Sequence, residues 1–402
     1  MKIALEEIHD GNGVVKKLPK DVVNNITLKL PVKSLLRFKC VSQFWYAYIQ
    51  SWAFIILHHN CASSVNDEII LFKRSFKEEH DHFKSIMSFL SSGHDGDDFH
   101  HVSPDLEVPY LTNTASCTFH RFIGPCHGLI VLTDKVTAVL FNPATRNYRL
   151  LKPSPFGSPL GFHRSINGIT FGFDSIANEY KIVRLAEIRG EPPFYCYSVR
   201  EWRVEVYELS IDSWREVENV DQQLPYVHWY PCAELFYKGT SHWFGNTNTV
   251  VILGFDMSTE TFRNIKMPNT CHFKDRKCYG LVVLNESLTL ICYPYPRCEI
   301  DPAIDFMEIW IMKEYGVNDS WSKKYTIIPL AIESPLAIWK NHLLLLQSIT
   351  GHLISYNLNS DEIKEFNLHG WPKSLRVKIY KESLTLIPKE SELIQLNNIR
   401  AD

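Results

Sequence analysis

Hydrophobic and polar positions change their period near residue 60. Between Lys20 and Leu30 the apolar residues Val22, Val23, Ile26 and Leu30 recur at intervals of three and four, which places them on one face of a helix. Pro19 suits the first position of that helix, where a missing N–H loses nothing. Pro31 ends it and can open the next. In the second segment, Val32 to Cys40, Leu35, Leu36 and Phe38 stand among Lys33, Arg37 and Lys39. Ser42 is a good N-cap for a third helix carrying Trp45, Tyr48 and Ile49. Three helices this short bury little apolar surface alone, so their faces require cover from the rest of the chain or from another protein.

From Glu68 onward the pattern predicts strands. Short runs rich in Val, Ile, Leu and aromatics, such as Glu68–Lys73, Gly128–Leu132, Tyr180–Leu185, Val250–Phe255 and Leu343–Gln347, are bounded by turn residues. Phe83–Leu90 is the one amphipathic helix candidate in this region. Five segments share a layout: "LFNPATRNYRLL" (140–151), "YELSIDSWREV" (207–217), "GFDMSTETFRNI" (254–265), "EYGVNDSWSKKY" (314–325) and "SYNLNSDEIKEF" (355–366). Each reads as a strand, a polar turn with Asp, Asn, Ser or Thr, and a second strand. They stand roughly 40 to 70 residues apart, and blades of about 40 to 50 residues with inserted loops account for that spacing. An open sheet of this size would expose long edges, which argues for closure. The expected fold is therefore a β-propeller of about six blades, with a pair of β-sandwiches as the alternative. Arg376–Ile387, read as a last strand pair, would close the ring against Glu68–Lys73.

Composition supports a globular reading. Of 402 residues, 45% are hydrophobic and 22% charged, enough for a core without disulfides. The net charge of −3 and the absence of a basic run give no nucleic-acid footprint. Met1 to Gly13 resembles neither a signal nor a transit peptide, and the longest aliphatic block, Leu343–Leu346, is far too short for a bilayer span. These features lead us to expect a soluble intracellular protein. The ten cysteines form no Cys-x-x-Cys pair and read as buried small hydrophobes in a reducing compartment. Asn25, Asn285 and Asn318 begin chance glycosylation triplets.

Most candidate chemistry dissolves on inspection. His94, Asp95, Asp97, Asp98, His100 and His101 could ligate a metal, but Ser and Gly precede them and the run reads as a solvated loop. Cys117, His120, Cys126 and His127 fit no common zinc spacing. No Gly-x-Ser-x-Gly elbow occurs, and "GFHRSINGITFG" (161–172) has no Lys in the Walker position. Neither a catalytic residue nor a metal or other cofactor is expected. Trp202, Trp214, Trp229, Trp243, Trp310, Trp321, Trp339 and Trp371 track the repeat, so packing between blades is the preferred reading over a stacking platform for sugar or base.

Residues 18–54, "LPKDVVNNITLKLPVKSLLRFKCVSQFWYAYIQSWAF", resemble the F-box. The matches are Leu18, Pro19 and Asp21, then Leu30, Pro31, Ser34, Leu35 and Arg37, and finally Val41, Ser42, Trp45 and Phe54. Thr27 stands where Leu is usual, and Trp52–Ala53 where Ser-Pro is common. The resemblance implies that Leu18, Pro19, Leu30, Pro31, Leu35, Leu36, Val41, Ser42 and Trp45 bind a Skp1-like adaptor, which links to a cullin carrying a RING protein and an E2. A helical cap on the propeller with no outside partner is the bland alternative.

The β region is similar to the F-box-associated domain of plant F-box proteins and, more closely, to S-locus F-box proteins of nightshade-type self-incompatibility. The strings that carry this are "ILFKRSFKEE" (70–79), "IGPCHGLIVLTD" (123–134), "LFNPATRNYRLLKPSPFG" (140–157), "VILGFDMSTETF" (251–262), "IESPLAIWKNHLLLLQS" (332–348) and "LISYNLNSDEIKEFNLHGWP" (353–372). The paired Gly of ordinary Kelch blades is missing. The expected organisation is a tail over 1–15, an F-box over 16–60, a propeller over 61–390 and a second tail over 391–402. The resemblance implies a cytoplasmic, non-catalytic ligase receptor of pollen and pollen tube that binds a pistil S-ribonuclease. A different, possibly glycosylated, protein target is the alternative. Loops on a rigid scaffold usually carry binding. The candidates are 93–101, 188–197, 272–277 and 293–301, with His94, Asp97, Arg189, Glu191, Lys274, Arg276, Arg297 and Glu299 as target contacts.

Overall fold

The computed structural model describes residues 18–61, 68–78, 83–93, 98–108, 121–134, 137–190, 200–218, 220–221, 223–228, 234–268, 277–296 and 306–387. Four helices come first: α1 (Lys20–Leu28), α2 (Val32–Phe38), α3 (Gln43–Gln50) and α4 (Trp52–Cys61). The first two begin one residue after Pro19 and Pro31, which stand as N-caps and not as first helical residues. The third begins after its expected cap, with the Ser42 hydroxyl accepting the Trp45 N–H at 3.3 Å. The fourth helix is an addition to the expected three. It is apolar on every side, so it shows no periodic face. Its start is signalled instead by Ser51, whose hydroxyl accepts the Phe54 N–H at 3.3 Å.

Six antiparallel sheets follow, and each is one propeller blade. Blade 1 contains Glu68–Lys77, Phe83–Ser92 and Phe99–Glu107, and its innermost strand is Arg376–Lys381, the last strand among the described residues. Blade 2 runs from Arg121 to Leu150, blade 3 from Phe162 to Glu216, blade 4 from Tyr226 to Lys266, blade 5 from Lys277 to Ile327 and blade 6 from Ile332 to His369. The inner strand of blade 4 is split into Tyr226–His228 and Leu235–Tyr237, both paired with Thr240–Asn246. The ring closes as expected, with Ile70 opposite Ile379 and Phe72 opposite Val377. Glu382–Ile387 is an extended tail rather than the second half of a strand pair.

The core explains why the ring is closed. Six apolar clusters each fill one gap between consecutive blades: Leu140 with Tyr207, Phe255 with Val204, Tyr279 with Phe244, Ile309 with Leu344, Phe72 with Trp339, and Phe141 with Leu71. This excludes the pair of sandwiches, in which two sheets would share one core. It also explains the misread segment Phe83–Leu90, which is a strand. Met87 and Phe89 face blade 2 while Leu90 faces blade 6, so both sides of the strand are apolar and alternation disappears. Trp202, Trp214, Trp243 and Trp339 are buried between blades, whereas Trp371 is 42% exposed and Trp229 lies outside the described residues.

The shared sequence segments are the turns between the third and fourth strands of their blades. Asn142, Asp256 and Asn357 accept the N–H of Ala144, Ser258 and Asn359 at 3.0, 3.0 and 2.9 Å. Arg146, Glu260 and Asp361 then take positive φ to re-enter the sheet. No helix among the described residues is long and apolar enough to cross a membrane.

Candidate functional site

Antiparallel blades give the ring two ends. The turns after the first and third strands lie at one end, and the other connections lie at the opposite end. The helices sit at the first end, over blades 1 and 2. His59 of α4 packs its ring 5.8 Å from His127, in the first turn of blade 2, and Leu384 of the extended tail enters the helical core.

That core contains Val32, Leu35, Ile49, Phe54, Ile55 and Leu384. The Tyr48 hydroxyl donates to Asn24 at 2.9 Å and ties α3 to α1. Thr27 is buried at the position where Leu is usual, and its hydroxyl is satisfied by the Val23 and Asn24 carbonyls at 2.9 and 3.0 Å. Burial, with Lys381 and His127 nearby, lowers the His59 pKa to about 4, so the imidazole at this junction is neutral.

The nine adaptor candidates divide by exposure. Leu18 is 53% and Val41 57% exposed, and Pro19 and Pro31 are also open. Leu30, Leu36 and Trp45 are half-buried, with the Trp45 ring edge-on to Phe38 at 5.7 Å. Leu35 was expected in the outward patch, but it is 0% exposed beneath Ile49 and Phe54, so it supports the helices from inside. Ser42 uses its hydroxyl as the α3 cap. Sequence reasoning assigned Val22 and Ile26 to a helix face without saying that it stays open. Both are exposed, one turn apart, and form a stripe with Leu18, while Phe38 and Val41 are also uncovered.

The tail over 382–387 was also missed as a joint. Asn142 is fully buried and donates to the Ser383 and Thr385 carbonyls at 3.0 and 2.8 Å. The Thr385 hydroxyl donates to the His127 carbonyl at 2.8 Å. Gly128 adopts φ +76°, and an added Cβ there would stand 2.2 Å from the Ser383 Cβ. The buried Asn142 of "LFNPATRNYRLL" therefore holds the strap that carries Leu384 into the helices.

At the opposite end, three of the four candidate loops leave the ring: those after Gly190, before Lys277 and after Pro294. The fourth, after Ser92, follows a third strand and so leaves at the helical end. Asp98 beside it pairs with Lys364 at 2.7 Å. His94, Asp97, Glu191, Lys274, Arg276, Arg297 and Glu299 lie outside the described residues, as do Cys117 and His120. Arg189 is described: its guanidinium is half exposed, pairs with the fully buried Glu187 and lies 5.3 Å from the Tyr226 ring centre. Asn167 donates to the same Glu187 carboxylate at 2.7 Å.

On the ring axis is a cavity of about 260 Å³ lined by Ile123, Leu281, Leu336 and Val377, with Glu234 facing Arg121 at 3.2 Å. Burial raises the Glu234 pKa against the pull of Arg121. Cys126 is buried and its thiol is pushed up to about 12, while His127 Nδ1 stands 3.2 Å from the Tyr180 hydroxyl. Among the described residues no group of three or more His, Cys, Asp or Glu side chains could hold a metal ion.

Known families match this arrangement. The F-box domain matches residues 16–57 and the F-box associated beta propeller domain matches residues 80–383. F-box protein CPR1 of Arabidopsis thaliana is 27% identical over 407 residues, covering 95% of this chain and 91% of that protein. F-box protein At3g07870 of the same plant is 23% identical, with 94% of each chain covered. F-box/kelch-repeat protein At3g23880, also from Arabidopsis thaliana, is 25% identical over 85% of this chain and 88% of its own. An F-box implies binding of a Skp1-like adaptor and, through it, of a cullin in an SCF ubiquitin ligase. The chain belongs to the F-box proteins that carry an F-box-associated β-propeller.

Proposed function

We propose that this F-box protein holds a Skp1-like adaptor on the stripe of Leu18, Val22 and Ile26 with Pro19 and Val41, and holds a protein target at the far end of its propeller. The observation that carries the reading is this open apolar stripe on helices whose own core is already filled. Leu30, Pro31, Leu36 and Trp45 complete the surface at its edge, and Leu35 and Ser42 keep its shape. The transferred ubiquitin rides on the thiol of the E2, so this chain acts by position. It raises the effective concentration of target lysines near the charged E2.

The proposed target is a pistil S-ribonuclease, met in the cytoplasm of the pollen tube. The S-locus resemblance of the strings over 70–79, 123–134, 140–157, 251–262, 332–348 and 353–372 supports this choice. A reconstituted ligase containing this chain should ubiquitinate an added S-ribonuclease and lose that activity when the chain is omitted. An S-ribonuclease left unmodified by a ligase that assembles normally would reject the target.

A second reading, recognition of a glycan on the target, is favoured by Trp371. This ring is exposed near the far end, 5.6 Å from the Phe83 ring and 5.6 Å from Lys77 Nζ. Target binding that survives enzymatic deglycosylation would remove it.

A further inference from the structure

Four Ser-Pro pairs occur in the chain, at Ser103, Ser154, Ser158 and Ser334. A proline-directed kinase needs a serine in an extended segment that stands clear of the fold, and proline itself favours that extension in the residue before it. The structure separates the four. Ser334 is buried in the inner strand of blade 6. Ser103 lies in the outer strand of blade 1, where its hydroxyl accepts from Arg146 at 3.3 Å.

The other two share one connection, "LKPSPFGSPLG" (151–161), between blades 2 and 3. Its first half is tied down. The Ser154 hydroxyl donates to the fully buried Glu205 at 2.9 Å and accepts the Phe156 N–H at 3.3 Å, and Phe156 packs against the core between blades 2 and 3. Its second half stands away from the body. Ser158, Pro159 and Leu160 are exposed, and a Cβ added to Gly157 or Gly161 on either side would meet no atom within 4 Å.

We propose that Ser158 is a phosphorylation site for a proline-directed serine kinase, and that Ser154, four residues earlier in the same dipeptide context, is not. The Ser158 hydroxyl oxygen would attack the γ-phosphorus of ATP on the kinase. The new O–P bond forms as the bond to ADP breaks, and the hydroxyl proton passes to the base of the kinase. The product carries about −1.5 to −2 charge at neutral pH. The segment feeds straight into Phe162 at the end of the ring away from the helices. The charge would therefore fall on the target-facing surface, a placement that rests on the proposed receptor reading.

The test incubates the full chain, bound to its adaptor, with a purified proline-directed kinase and ATP, and maps phosphate by mass spectrometry. Occupancy at Ser158 should exceed that at Ser154 by at least about 10-fold, because Ser154 must first release a charged partner. Pro159→Ala should abolish labelling at Ser158, and adaptor affinity should be the same before and after labelling. An unlabelled Ser158, equal or greater labelling of Ser154, or Ser158 labelling that survives Pro159→Ala would overturn the site. Loss of adaptor binding on labelling would overturn its placement at the far end. Mapping reads the site directly, so failure of the receptor reading leaves a distinct signature.

Discussion

The two ends of the propeller are built differently. At the helical end, connections are tight: Asn285–Glu286 and Lys340–Asn341 turn with paired positive φ values, and Asn142, Asp256 and Asn357 seal the wider turns. Charges there clamp neighbouring blades. Lys181 Nζ reaches Asp174 at 2.7 Å, Glu260 at 2.8 Å and the Met257 carbonyl at 3.0 Å, and Lys152 reaches Asp212 at 2.8 Å. At the far end the ring opens into longer connections, such as those from Leu150 to Phe162 and from Pro294 to Met307. On the proposed receptor reading, the helical end meets one constant partner and can be specified by fixed side chains, while the target-facing end is free to vary in its connections.

Several changes should break or sharpen that contrast. The largest loss of stability should come from Lys181→Met, which leaves the buried Asp174 without its cation. A destabilisation of about 3–5 kcal/mol is expected in urea unfolding. Leu384→Ala should cost about 2–4 kcal/mol by opening a cavity where the strap meets the helices. The same variant should protect the helices less in hydrogen exchange while blades 3 to 5 stay protected.

Acid should act at the helical end too. Folded His59, with a pKa lowered to about 4, binds its proton more weakly than the unfolded imidazole at 6.5. Its contribution is therefore full above pH 6.5 and is lost as pH falls toward 4, and His59→Phe should flatten that part of a thermal-melt profile. Asp174 extends the loss lower. Burial pushes its pKa up, but hydrogen bonds from Lys181, Ser258 and two backbone N–H groups outweigh this and hold it at about 2. That contribution is present above pH 3.8 and disappears as pH falls toward 2. The smallest effects belong to exposed sites. Asp98→Ala removes an exposed pair with Lys364 and should shift stability by less than about 0.5 kcal/mol.

Much of this was legible in the sequence, for identifiable reasons. Pro19, Pro31 and Ser42 set helix starts through backbone chemistry, which needs no tertiary context. Asn142, Asp256 and Asn357 exposed the blades because each of these side chains seals a turn. Strand Phe83–Ser92 was misread because it packs between two blades and loses the alternation that marks a half-buried strand. Leu35 proved buried and Val22 exposed, since spacing assigns residues to a helix face but does not say which face meets the core. The strap over 382–387 was invisible as a joint because its partners, Asn142 and His127, lie more than two hundred residues earlier.

The most direct test measures adaptor affinity. Wild-type chain and the Leu18→Ala/Pro19→Ala variant are titrated with a purified Skp1-like protein, and the melting temperature of each is recorded alongside. A stable complex with the wild type is predicted, with affinity at least about 100-fold weaker in the variant at an unchanged melting temperature. Equal affinity in the two proteins would contradict the exposed stripe as the docking surface.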